Sequence, residues 1–222
     1  MRAPSISHLT NKRETMDIHF DKTFENRRHA LFLFAVFFIC LFITSKAVAQ
    51  TPIASKNEVY LKAFYTLDEP RFHCVDIPGH RKRVRVEATL SVHTCKEGIW
   101  NLDERFDRGA LSKGLLKMSH YGLCVAADTA VDGAKLRLQK CDGAPLQSWR
   151  YDNYRLRLDK HPDKCLTIGP EPSRLTPGGR RLPSRHMARS LSLSACSDEA
   201  FSRQLWRFES PMRRSGSVMP FK

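Results

Sequence analysis

One sentence of sequence is written three times in this chain, and that repetition constrains the fold more than any other feature. Its first phrase is a Cys followed by an apolar residue: Cys74-Val75-Asp76-Ile77, Cys124-Val125-Ala126-Ala127 and Cys165-Leu166-Thr167-Ile168. Its second is Leu-x-(Leu or Val)-x-x-Cys, at Leu90 to Cys95, Leu136 to Cys141 and Leu191 to Cys196. Its third is Gln147-x-Trp149 in the middle copy and Gln204-x-Trp206 in the last, with Glu104-Arg105-Phe106 as a degraded version in the first. Trp100 is a poorer match than Phe106. Trp149 precedes the next copy's Cys165 by 16 residues; Phe106 precedes Cys124 by 18, but Trp100 by 24. Trp100 is therefore expected in a loop.

Each copy reads as short strands. Apolar and polar residues alternate with period two, the signature of a half-buried strand. Leu156-x-Leu158, after the middle copy, adds another such pair, and Pro78-Gly79, Asp132-Gly133 and Asp142-Gly143 punctuate the runs. No stretch beyond residue 49 sustains a 3.6-residue apolar stripe over three turns. Regularly spaced short strands imply an all-β barrel or sandwich, and threefold repetition favours a closed barrel with pseudo-threefold symmetry.

Taken together, these three phased motifs resemble the ricin-type lectin domain, a β-trefoil. The resemblance covers roughly residues 60–208, with copies at about 60–109, 110–153 and 154–208. It implies that Phe106, Trp149 and Trp206 meet in a common core and that Gln147 and Gln204 tie down backbone groups beside them. A buried aromatic supplies much apolar area, and buried backbone groups need partners.

The regions outside the repeats carry their own signals. Residues 1–29 are polar and end in Asn26-Arg27-Arg28-His29; residues 30–44 are continuously apolar; Ala47-x-Ala49 follows as a small-residue cleavage pattern. Residues 1–49 thus read as a secretory signal peptide with a long leading region, which a start at Met16 would shorten. A signal anchor is the alternative, although the apolar run falls short of the roughly 20 residues that span a bilayer. Residues 50–59 read as a linker and 209–222 as a basic exposed tail. Export implies a secreted, periplasmic or extracellular protein, or an anchored one with its domain outside the cytoplasm.

Cleavage would remove Cys40 and leave six cysteines. An even count in an exported domain implies disulfides, and six allow fifteen connectivities. The repeat symmetry of the resemblance selects Cys74–Cys95, Cys124–Cys141 and Cys165–Cys196, one within each copy. A metal site is a poor alternative, since no C-x-x-C is present and the spacings are wide. No metal or cofactor is expected.

The whole chain has a net charge of +14, and residues 50–222 hold 30 basic against 19 acidic residues, a net of +11. Arg81-Lys82-Arg83-Val84-Arg85 is one concentration. Residues 170–190 are the other, a Pro/Gly-rich insertion that lengthens the Cys165–Cys196 interval and carries Arg174, Arg180, Arg181, Arg185 and Arg189. Such a segment is expected as a surface loop, either simply solvated or docking anionic partners such as sulfated glycans or anionic head groups. No nucleic-acid motif is present, and an exported protein has little access to nucleic acid.

No catalytic constellation emerges. The histidines are scattered, no H-E-x-x-H is present and no thiol is left over as a nucleophile. The resembling family binds sugars with an acid two residues after the first Cys, an aromatic two before the second Cys and an Asn before the Gln. Carried over, these positions hold Asp76, His93 and Asp103 in the first copy. They hold Ala126, Gln139 and Leu146 in the middle copy, where Asp128 is the one substitute, and Thr167, Ser194 and Arg203 in the last. One sugar site is therefore expected, around Asp76, His93 and Asp103, with Trp100 as a further ring or as packing. The expected function is non-catalytic glycan binding. The alternative is a protein-docking subunit that has lost its sugar sites, as in the binding subunits of cytolethal distending toxins.

Overall fold

A computed structural model of the protein describes residues 54–211, so the leader and most of the basic tail lie outside the described residues. The strands fall into the three copies. The first holds β1 (Glu58–Ala63), β2 (His73–Asp76), β3 (Ser91–Thr94) and β4 (Arg105–Asp107). The second holds β5 (Lys117–Met118), β6 (Leu123–Ala127), β7 (Leu136–Lys140) and β8 (Trp149–Asp152). The third holds β9 (Arg155–Leu158), β10 (His161–Ile168), β12 (Met187–Ala195) and β13 (Trp206–Glu209), with one extra strand, β11 (Arg174–Leu175), from the insertion.

The first and last strands of the copies close a six-stranded barrel. β1 pairs with β4, β4 with β5, and a bridge from Leu115 to Ser148 carries the ring to β8. β8 pairs with β9, a bridge from Arg155 to Leu205 leads to β13, and β13 returns to β1. The middle strands form the hairpins β2–β3, β6–β7 and β10–β12. The hairpins touch one another: β3 pairs with β12, Lys135 bridges Ser192, and the Leu90 N–H donates to the Leu136 carbonyl. This is a β-trefoil, and closing the barrel removes the exposed sheet edges that would otherwise template aggregation.

Period-two alternation places the core. Phe106 and Trp206 are fully buried and Trp149 is 4 % exposed, packed with Val59, Leu61, Val75, Val125, Leu158 and Leu166 in one apolar cluster. The Trp149 indole N–H donates to the Val125 carbonyl at 3.0 Å and that of Trp206 to the Leu166 carbonyl at 2.9 Å. Each acceptor follows the first Cys of its copy. Phe106 has no side-chain N–H, so the first copy does without this bond.

Three disulfides staple the copies internally: Cys74–Cys95, Cys124–Cys141 and Cys165–Cys196. Each loop closure contributes roughly 3 kcal/mol in the chain-entropy account.

The arginine-rich insertion is not a free loop. β11 pairs with β12, and a short helix, Pro177–Arg181, is capped by the Thr176 hydroxyl accepting from the Gly179 N–H. A Cβ on Gly179 would lie 2.1 Å from the His186 carbonyl oxygen, so only glycine lets these backbones meet. Arg71 clasps the segment from outside, donating to the Ser184 and Arg185 carbonyls while paired with Glu69. Among the described residues no helix is long and apolar enough to cross a membrane.

Candidate functional site

The first copy gathers its polar residues at one end of the β2–β3 hairpin. Asp76 ends β2, His93 lies on β3, Lys96 follows Cys95, and a helical turn, Leu102–Glu104, delivers Asp103 and Glu104. The Lys96 ammonium lies 2.7 Å from Asp76 Oδ1 and 2.6 Å from Asp103 Oδ2, and 4.0 Å from Glu104 Oε1. Asp76 is 2 % exposed, Lys96 3 %, and Asp103 and Glu104 are fully buried. One cation is thus surrounded by three carboxyl groups out of solvent.

Two ions of opposite charge can compensate each other there, but three carboxylates around one ammonium cannot all stay ionised. Burial raises all three carboxyls against the pull of Lys96, and it carries Glu104 up to about 8. Lys96 is held protonated by the surrounding carboxylates. The carboxyl that stays neutral is identified by its place in the repeat. In the middle copy Gln147 accepts from the Asp142 N–H and donates to the Lys140 carbonyl; in the last, Gln204 accepts from the Ser197 N–H and donates to the Ala195 carbonyl. These partners flank the second Cys of each copy. Glu104 makes the first half of the pattern, its Oε2 accepting from the Lys96 N–H at 2.8 Å. Its Oε1, buried without a partner, occupies the place of the donating amide. A proton on Oε1 restores the missing donor, and Glu104 is also the carboxyl farthest from Lys96.

His93 completes the cluster. Its Nδ1 lies 2.7 Å from the Thr94 carbonyl, which can only accept, so Nδ1 carries the hydrogen. Burial lowers its pKa and keeps the ring neutral. Ligand atoms of Asp76, His93 and Glu104 fall within 4.8 Å of one another, a spacing a metal ion could use. The Lys96 ammonium already supplies the positive charge at that point, so the donor set fits a lysine lock better than a metal.

Asp76, His93 and Asp103, expected as an open sugar site, are therefore brought together but covered. Asp76 is 2 % exposed and bonded to Lys96, so in this arrangement it presents no free edge to vicinal hydroxyls. Trp100 is half-buried and packs edge-on against His80, with ring centroids 5.3 Å apart. The other copies offer no replacement. Ala126 is buried, and Asp128 pairs with Arg137 at 3.2 Å. Thr167 is buried, with its hydroxyl accepting from the Gln204 amide. Arg203 donates to the Ile168 carbonyl.

The insertion's arginines divide. Arg174, Arg180, Arg181 and Arg185 are exposed, although Arg180 also donates to the Leu175 carbonyl. Arg189 is 5 % exposed, donates to the Gly169 carbonyl and lies 3.3 Å from Asp68. Arg189 is thus tied into the fold, unlike the four exposed arginines.

Sequence reasoning missed one surface. Tyr65, Tyr151, Tyr154 and Phe201 are exposed by 41, 43, 53 and 43 %, and they lie on one flank of the barrel. They come from three distant segments, and only the barrel closure between β1, β9 and β13 brings them together. No local pattern announces them.

A family model described as the ricin-type beta-trefoil lectin domain matches residues 65–176, half of the chain. No curated protein matches. Among solved structures, the solution structure of the mdaA-1 domain aligns with TM-score 0.50 at 13 % identity, covering 76 % of this chain and 99 % of that one. The earthworm R-type lectin C-half, solved in complex with GalNAc, aligns with TM-score 0.47 at 13 % identity over 69 % of this chain and 98 % of its own. The designed threefold-symmetric ThreeFoil aligns with TM-score 0.49 at 17 % identity over 69 % and 99 %.

Proposed function

The chain belongs to the ricin-type β-trefoil lectin family, and on that premise we propose that it is a non-catalytic carbohydrate-binding protein acting outside the cytoplasm. The observation that carries this reading is the complete three-copy trefoil, each copy stapled by its own disulfide and two of them with the Gln–Trp core bonds intact. Disulfides persist in oxidising compartments, which supports export. The reading takes glycans as the partner, with no cofactor and no nucleic acid.

The lysine lock in the first copy, and the missing acids in the other two, leave no conventional sugar position open. A lone shallow site of millimolar strength corresponds to only about 4 kcal/mol, so useful binding calls for multivalent targets. The closed first-copy site also favours a second reading, in which the trefoil is the protein-docking subunit of an exported complex, with its sugar sites lost.

A glycan array probed with residues 50–222 in multivalent form, at low and high salt, separates the readings. Binding to neutral glycans that survives salt supports the lectin. Binding confined to sulfated or phosphorylated glycans and lost in salt moves the contact to the exposed arginines. A blank array overturns carbohydrate binding and leaves the docking subunit.

A further inference from the structure

The exposed aromatic flank has an architecture of its own. The Phe64 N–H donates to the Leu205 carbonyl and the Trp206 N–H to the Tyr154 carbonyl, so the end of β1, the β8–β9 turn and the segment before β13 are laced together. Phe64 sits at the centre, with ring centroids 5.3 Å from Tyr65 and 5.1 Å from Tyr154. Tyr65 reaches Phe201 at 6.2 Å, and Tyr154 reaches Tyr151 at 6.5 Å. Tyr151 in turn packs on Phe208 at 4.9 Å, at the lip of a cavity of about 250 Å³ in the barrel mouth. The result is a continuous ridge of rings, each about half covered by its neighbours and so held in place.

Polar groups edge the ridge. The hydroxyls of Tyr65 and Tyr154 have no hydrogen-bond partner among the described residues. Arg155 lies over the Phe201 ring at 5.6 Å, donates to the Ser197 carbonyl, and stands 3.6 Å from the fully exposed Asp198 carboxylate. Tyr154 takes φ of 62°, a left-handed conformation that an aromatic side chain adopts at some cost, and the turn thereby carries its ring on the outer surface.

We propose that this ridge, with Tyr65, Tyr154 and Phe201 as its contact rings and Asp198 at its edge, is the glycan-binding surface of the protein, and that it takes neutral pyranose sugars. The proposal rests on the carbohydrate-binding reading above. A pyranose presents an apolar C–H face and a rim of hydroxyls. Ring faces cover the former, while phenol hydroxyls and a solvated carboxylate bond the latter. The three positions where a sugar would conventionally sit are sealed or lack the acid, whereas this flank offers both kinds of contact in the open.

The test uses polyacrylamide carrying galactose, N-acetylgalactosamine or mannose, with binding followed on immobilised protein. Tyr65→Ala and Phe201→Ala should each weaken binding about tenfold or more with unchanged melting curves. Val131→Ser, which alters an exposed apolar residue elsewhere, should bind as the parent does. In the unmodified protein, ring resonances of Tyr65, Tyr154 and Phe201 should shift on adding the probe, a readout independent of variant folding. Binding that persists in both aromatic variants, without ring shifts, overturns the ridge and leaves the lectin reading standing. A parent protein that binds none of the three probes overturns both, and the ridge then becomes a protein-docking face.

Discussion

The Lys96 ammonium lies 2.7 Å from the Asp76 carboxylate, with both side chains almost wholly withdrawn from solvent. Asp76 holds the position where a sugar-binding acid would stand, and Lys96 has turned it into half of an internal ion pair. A buried pair gains little net stability over apolar packing, because desolvation costs about as much as attraction returns. Breaking it is another matter.

Lys96→Met should destabilise the domain by about 3–5 kcal/mol, since it strands Asp76 and Asp103 without a counter-charge. The loss should shrink at acid pH, because the stranded carboxyls, already raised by burial, can take up protons there instead of staying charged. Urea unfolding at pH 5 and pH 8 measures both effects; equal losses at the two pH values would refute the ionic account.

Glu104 gives the clearest pH dependence. Its folded pKa of about 8 stands above the ordinary carboxyl value of 4.5, so the folded state holds a proton that the unfolded chain releases. The stabilisation is fully present below pH about 4.5 and is lost as pH rises through about 8. Glu104→Gln supplies the donor permanently, as Gln147 and Gln204 do, and should flatten the fall in stability between those limits. Asp76 and Asp103, also raised, leave a residual slope. An unchanged slope in the variant would show that Glu104 is not the protonated group.

The insertion separates charge from structure. Arg189→Ser should lower the melting temperature, because it leaves Asp68 and the Gly169 carbonyl without their guanidinium. Replacing Arg180, Arg181 and Arg185 together by Ser should leave melting nearly unchanged and shorten retention on a heparin column. A fall in stability from the triple variant larger than that from Arg189→Ser would reverse the assignment.

Much of the fold was legible because it is written locally. Cysteines recurring in phase, Leu-x-Leu alternation and Gln-x-Trp mark the strands through short-range pattern, while repetition supplied the threefold symmetry and, through the family resemblance, the disulfide partners. The candidate site was legible only as a set of positions. Asp76, His93 and Asp103 do come together, but that a lysine one residue past Cys95 would fold inward among them is invisible in sequence, where Lys is ordinarily a surface residue. The insertion looked like loose chain because Pro, Gly and Arg mark loops; β11 and the Arg71 clasp depend on partners far away in sequence.

The sequence by itself therefore determined the architecture: three copies built of short strands around a core of Phe106, Trp149 and Trp206, since period and spacing are properties of neighbouring residues. Tertiary structure alone decided what is open and what is shut. Burial raised three carboxyls around Lys96 and closed the first copy, and barrel closure assembled Tyr65, Tyr154 and Phe201 into one exposed face. Accessibility and charge state depend on what lies across space, and no local pattern records that.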